Sequence, residues 1–191
     1  MNPSAQELLH AVEALPTDEV ILLPNNSNII LTAQQTKQIA AERLPHKQVE
    51  VVPSRTVPQG ISALLAFNMQ ASLAENASAM ARALANSDTG EVTIAVRDAH
   101  IDGVDVRTGD VIGLLNDTLT TKGDTPEEVV FNLLAQMDAD QAEVITVYYG
   151  DQVDEATAEA LSTDITERYG SQELEVISGG QPHYHYIIST E

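Results

Sequence analysis

Cysteine and tryptophan are absent from this chain, and basic residues are scarce. Each shortage excludes something. Without cysteine there are no disulfides, no thiol catalysis and no cysteine-based zinc sites, and the composition fits a reducing compartment. With 9 Lys and Arg against 29 Asp and Glu, the net charge is −20. That balance opposes nucleic acid, whose phosphates need cations, and equally opposes anionic membrane surfaces. Aromatic residues make up 4% of the chain, so the core has to be built mainly from Ala, Val, Ile and Leu. No apolar run is long enough to cross a bilayer and no secretory signal opens the chain. A cytoplasmic protein without membrane insertion is expected.

The charge is unevenly spread. Residues 1–68 carry six acids (Glu7, Glu13, Asp18, Glu19, Glu42, Glu50) and four bases (Lys37, Arg43, Lys47, Arg55), a net of −2, which leaves −18 of the −20 on the rest. Such a break suggests two sub-regions with different surroundings. A solvated, self-repelling face explains the acidic part; a docking face for a basic partner is the sharper reading. The length of 191 residues allows one large domain or two small ones. Asn2-Pro3-Ser4 leads straight into a helix, and the chain is expected to be a fragment cut from a longer protein at a domain edge.

Ser4 and Glu7 form a capping box, followed by an apolar stripe of Leu8, Leu9, Val12 and Leu15. Glu19–Leu23 reads as a buried strand. The loop 24–28 follows, then Ile29–Leu31, with Thr32 and Gln35 capping a helix to about Leu44. Val49–Val52 is the next strand, and a helix starts at Pro58 or Gln59 and reaches about Phe67. This α-β-α-β-α order with short connections implies a parallel sheet in three layers. Ser72 and Glu75 cap an Ala-rich helix, and residues 69–88 are expected to connect this first sub-domain (1–68) to a second (89–191). There, Asp88-Thr89-Gly90 reads as a turn, Glu91–Arg97 as a strand, Asp102-Gly103 and Thr108-Gly109-Asp110 as turns, and Val111–Leu115 as a strand. Thr125-Pro126-Glu127-Glu128 starts a helix. Glu143–Tyr149, Leu174–Ile177 and Tyr184–Ser189 are strands around a helix over Asp154–Arg168. The second half is α+β with a mixed sheet, and the chain as a whole is α/β.

Enzymatic motifs are missing: no GxxxxGK followed by Ser or Thr, no GxGxxG, no HExxH and no GxSxG. His183 and His185 alternate on a strand and share a face, but zinc needs a third ligand and a solvent-facing edge explains them better. Asp98, Asp102 and Asp105 lie near Gly103 without the ligand spacing of a calcium loop. No metal site and no catalytic residue is assigned.

Two polar loops stand above this background. The stretch 49–68, VEVVPSRTVPQGISALLAFN, runs from an apolar strand through a polar turn into a helix. Ser54, Arg55 and Gln59 fall where open α/β proteins place ligands. Arg55 offers a planar fork for a carboxylate or phosphate, and the helix start near Gln59 and Gly60 adds backbone N–H groups. The other loop, Pro24–Asn28, brings Asn25, Asn26 and Asn28, whose amides both donate and accept. Asparagines that cap turns, and an Arg55 paired with a surface acid, are the structural alternatives. Both loops follow consecutive strands, so a parallel sheet sets them side by side at its carboxyl edge. Gly180-Gln181, after Gly179, is a third candidate, where glycine permits close backbone approach.

Taken together, MNPS (1–4), ILLPNNSNIIL (21–31), VVPSRTVPQGISALLAFN (51–68), TGEVTIAVRDA (89–99), GDVIGLLND (109–117), VITVYYGD (144–151) and GGQPHYHYIIS (179–189) resemble the carboxy-terminal domain of the catalytic component of bacterial fatty acid kinase, from a dihydroxyacetone-kinase-like family. The resemblance implies a DegV-like fold, shared with the fatty-acid-binding carrier proteins. It implies a parent with an amino-terminal kinase domain, which holds ATP and magnesium, and a middle linker domain. That parent phosphorylates a fatty acid presented by the carrier, yielding an acyl phosphate. No cofactor is implied in this fragment, whose role would be to dock the carrier; its partners would be that carrier and the remaining kinase domains. In the carriers a Ser-Ser loop holds the fatty acid carboxylate. Pro24–Asn28 resembles that loop and Pro53-Ser54-Arg55 a second Ser-containing turn, while the carriers' amino-terminal strand has no counterpart here. A DegV-like module that itself binds a fatty acid or other lipid is the alternative, and an enzyme using Ser54 or the Asp98–Asp105 cluster a third reading.

Overall fold

A computed structural model describes residues 2–101 and 104–191. The Asp102-Gly103 turn, and Asp102 as a member of the acidic cluster, lie outside the described residues. The chain divides into two compact units, Met1–Ser87 and Asp88–Glu191.

In the first unit, Ser4 and Glu7 complete the capping box that opens helix α1 (Ala5–Ala14). Strand β1 (Glu19–Leu22) pairs in parallel with β2 (Gln48–Val51). Helix α2 (Ser27–Arg43) connects them. It starts five residues before Thr32, because the Asn26 side chain accepts the Asn28 N–H at 2.9 Å and caps the helix itself. Ile29–Leu31 are therefore helical, and Thr32 is an interior residue. Helix α3 (Val57–Leu65) is capped by Thr56, and α4 (Leu73–Ala83) by the Ser72–Glu75 box, with a single 3-10 turn at Leu84–Asn86. The two strands form the middle of three layers. Val20 and Val49 pack with Leu9 and Val12 of α1 and Ala40 of α2, whereas Ile21, Leu23 and Val52 pack with Ala63 of α3 and Met80 of α4. This is the alternation expected of strands buried on both faces. Helix α4, which the sequence presents as a connector, packs within this unit against α3 and the Ile21 side of the sheet.

The second unit is built on a mixed sheet of six strands: β3 (Asp88–Ile94), β6 (Val111–Leu115), β7 (Thr118–Gly123), β8 (Val144–Tyr149), β9 (Glu173–Ser178) and β10 (Tyr184–Thr190). Their order across the sheet is β7-β6-β3-β10-β8-β9. In a separate two-stranded sheet β4 (Ala99–Ile101) pairs antiparallel with β5 (Val104–Val106). All pairings in the large sheet are antiparallel except β8 with β9, which are linked through α6 (Glu155–Arg168). Asp88-Thr89-Gly90 belongs to β3 rather than to a turn, since Gly90 pairs with Leu115 and Thr89 with Ser189. Helix α5 (Pro126–Gln136) opens with the expected Thr125 cap and proline. Its Val129, Val130, Leu133 and Leu134 are fully buried with Val92, Ile145, Val147 and Ile188 of the sheet and Leu161 and Ile165 of α6. The Tyr186 hydroxyl leaves this core to donate to the Glu127 carboxylate at 3.0 Å, as a buried tyrosine must.

Candidate functional site

The chain leaves β1 through Leu23 and Pro24, and at Asn25 the backbone turns left-handed with φ 52°. Asparagine is among the few residues that tolerate that region. There the Asn25 N–H donates to Ser54 Oγ at 3.0 Å, and Ser54 Oγ donates to Asn25 Oδ1 at 2.7 Å. The two loops are thus side by side, as consecutive parallel strands require. The same contacts account for Ser54: it is fully buried and its hydroxyl is used in both directions. Asn25 also explains Gly60. A Cβ at Gly60 would lie 2.1 Å from Asn25 Oδ1, so the glycine lets the amide lie flat against the first turns of α3.

The other polar groups are largely engaged within the loops. Asn26 caps α2. Gln59 Oε1 accepts the Arg55 N–H at 2.9 Å, and the Gln59 N–H reaches Thr56 Oγ1 at 3.3 Å. Asn28 and Arg55 are exposed. The Arg55 guanidinium makes no ion pair among the described residues. The pair of loops is thus a hydrogen-bonded corner with the Arg55 side chain exposed on its outside and the Ser54 hydroxyl buried within it.

Gly180-Gln181 sits elsewhere, on the second unit's connection from β9 to β10. Gly180 has φ +60° and Gln181 Nε2 donates to the Tyr148 carbonyl at 2.9 Å. The Gly179 and Gly180 N–H groups both reach the Tyr149 carbonyl. This segment has to cross the end of β8, and those bonds hold it there. β10 is an interior strand between β3 and β8, not an edge. A bulge separates Tyr184 from Tyr186, and His183 lies outside the strand with φ 73°. His183 and His185 therefore do not share one regular strand face. Among the described residues no three His, Asp or Glu are placed to hold a metal. Asp98 accepts from the N–H and the hydroxyl of Thr108 at 2.7 and 2.9 Å, which holds its carboxyl below the usual range. Asp105 pairs with His100. Glu91 of β3 is different: burial, with the Asp117 carboxylate nearby, pushes its pKa up to about 7.

Two surfaces escape the sequence reading. On α3 the small residues Gly60, Ser62 and Ala63 are buried, while Val57, Ile61 and Leu65 are 48%, 36% and 77% exposed. The i, i+4, i+8 stripe is visible in the sequence, but periodicity reports a stripe without saying which way it faces. Here the small residues face inward, where they let α3 approach closely, and the large ones face out. The second surface is a groove of about 570 Å³ along the outer side of β1, lined by Ile21, Leu23, Leu64, Phe67, Leu73 and Met80 among others. Asp18 and Glu19 also line it, and no Lys or Arg does. The lining includes none of Asn25, Asn26 and Ser54.

Comparison with known proteins matches all of residues 1–191 to the FakA-like C-terminal family of fatty acid kinase. Among curated relatives, protein YloV of Bacillus subtilis (strain 168) is 40% identical over 191 residues, 100% of this chain and 34% of its own length. The uncharacterized protein SAR1202 of Staphylococcus aureus (strain MRSA252) is 36% identical over the same 191 residues, again 34% of its length. The chain spans about a third of the length of these relatives. Solved structures of similar fold include the Streptococcus pneumoniae fatty acid kinase (Fak) B3 protein loaded with linoleic acid, with a TM-score of 0.66 at 15% identity, covering 99% of this chain and 76% of that one. A DegV family protein from Eubacterium eligens loaded with heptadecanoic acid has a TM-score of 0.67 at 16% identity, covering 99% and 78%. At these identities the likeness is one of fold, and the fold is that of the DegV family.

Proposed function

The chain belongs to the FakA-like C-terminal family of fatty acid kinase, and from that membership we propose that it is the non-catalytic recognition domain of a fatty acid kinase. It docks a fatty-acid-bearing carrier protein so that the parent enzyme phosphorylates the bound acyl carboxylate to an acyl phosphate. ATP and magnesium belong to other parts of that parent. The observation that carries this reading is the outward stripe of α3. Val57, Ile61 and Leu65 are large, apolar and exposed, and the stripe begins two residues after the exposed Arg55. A contiguous exposed apolar strip marks an interaction surface, and arginine is among the residues enriched where binding energy concentrates. The buried Asn25–Ser54 corner supports it by fixing the start of α3.

The test is titration calorimetry of the full-length kinase with its carrier. Ile61→Asp with Leu65→Asp weakens binding at least about tenfold, the loss expected when interface anchors are removed, and leaves the melting temperature unchanged. Arg55→Ala weakens it less. Unaltered affinity in the double variant refutes the proposal.

One observation favours a second reading, a module that itself binds a lipid: the apolar groove beside β1 is roomy enough for an acyl chain, and the fold neighbours carry fatty acids. Against it stand the carboxylates of Asp18 and Glu19 with no cation in the lining, and a Ser54 hydroxyl already spent on Asn25. Native mass spectrometry of protein purified from cells separates the two, since a co-purified fatty acid would favour the lipid module.

A further inference from the structure

The groove follows a strand edge, and the backbone parity of that edge says what it can take. In the parallel ladder the Asp18 carbonyl accepts from Gln48 and the Leu22 carbonyl from Val52. With Glu19 facing Gln48 and Ile21 facing Glu50 in register, the residues whose peptide groups serve β2 are Asp18, Val20 and Leu22. The N–H and C=O groups of Glu19 and Ile21 then point away from β2. β1 pairs with β2 alone in a two-stranded sheet, and no other backbone hydrogen bond meets these groups among the described residues. Glu19 and Ile21 both line the groove, and no residue of β2 does. Two of the residues that line the trench thus carry peptide groups that β2 leaves unpaired among the described residues. Its far wall is apolar, with Leu64, Phe67 and Met69 exposed at 57%, 47% and 90%.

We propose that this groove takes a third strand, an extended polypeptide segment with apolar alternate side chains, supplied by the part of the parent protein outside these 191 residues. Strand addition satisfies the free peptide groups, and pockets beside the edge select the side chains. An acyl chain would cover the wall but leave the peptide groups unmet, and its carboxylate would face Asp18 and Glu19. Two further observations name the source. About two thirds of the length of the curated relatives lies outside the stretch this chain matches, and the chain covers 76% and 78% of the two fold neighbours. A segment on the same polypeptide also has the advantage of effective concentration. This inference does not depend on carrier docking.

Residue-resolved hydrogen exchange on the 191-residue chain and on the longer parent tests it. In the short chain the Ile21 amide exchanges faster than those of Val20 and Leu22. In the parent it slows at least about 100-fold, the protection of an amide drawn into a stable ladder. Ile21→Pro in the parent removes the outward donor while leaving the Val20 and Leu22 bonds to β2, and Leu64→Lys sets a charge in the exposed wall. Each raises exchange at Glu19 in the parent. Equal exchange of Ile21 in short and long chains overturns the proposal. So does protection of the short chain that appears only with added oleate, or only at high protein concentration.

Discussion

Ser54 and Asn25 hold each other through a single hydroxyl, which accepts from the Asn25 backbone N–H at 3.0 Å and donates to its side-chain oxygen at 2.7 Å. The polar loop with the strongest look of a ligand site is therefore a brace between two strand ends.

Ser54→Ala deletes both bonds in a fully buried place and strands an N–H and an amide oxygen. A cost of about 1–3 kcal/mol is expected, read from urea denaturation at pH 7.

Gly60→Ala places a Cβ 2.1 Å from Asn25 Oδ1 and costs about 1–3 kcal/mol through overpacking. Asn25→Gly tolerates the positive φ and removes the clashing atom. In that background Gly60→Ala becomes nearly neutral, and a double-mutant cycle by chemical denaturation gives a coupling of about 1 kcal/mol or more.

Glu91 supplies a pH dependence. Its carboxyl titrates at about 7 in the folded chain against an ordinary 4.5, so between those values the native state binds more protons than the unfolded one. Stability accordingly falls as pH rises through that window. Glu91→Gln removes this slope: the variant matches the parent near pH 4 and is more stable by roughly 1–3 kcal/mol at pH 8. Urea titrations of both proteins from pH 4 to 8 check it.

Lys47 is buried, and its ammonium donates to the carbonyls of Leu15 and Thr17 at 2.7 Å each, pinning the link from α1 to β1. Lys47→Met keeps the apolar stem and abandons both carbonyls. A loss of about 2–3 kcal/mol follows for charge-assisted bonds, seen as a lowered thermal midpoint.

Much of the fold is legible in the sequence because its signals are local. The Ser4–Glu7, Ser72–Glu75 and Thr125–Pro126 starts each declare themselves within four residues. The start of α2 does not, because Ile29-Ile30-Leu31 is apolar and largely β-branched, while the Asn26 cap is hidden among other asparagines. Strand β7 leaves little trace, since Thr118–Gly123 holds one large apolar residue, Leu119. The adjacency of the two polar loops can be read from strand order. Whether their side chains are free cannot, since Asn25 and Ser54 are 29 positions apart and their bonds are known only once the strands are laid together.

The place of β10 has a consequence for how the second unit is made. It is the last of these strands in chain order, yet it sits between β3 and β8, and the Thr93 hydroxyl meets the His183 carbonyl across 90 positions. As the nascent chain leaves the ribosome, the β3–β6–β7 meander and the β8–α6–β9 unit are complete before the strand that unites them exists. Each waits with a bare edge, and the two edges invite direct mispairing with one another. Sealing the sheet is then a late, long-range step, slow by the measure of loop closure and the point at which this unit is most open to aggregation.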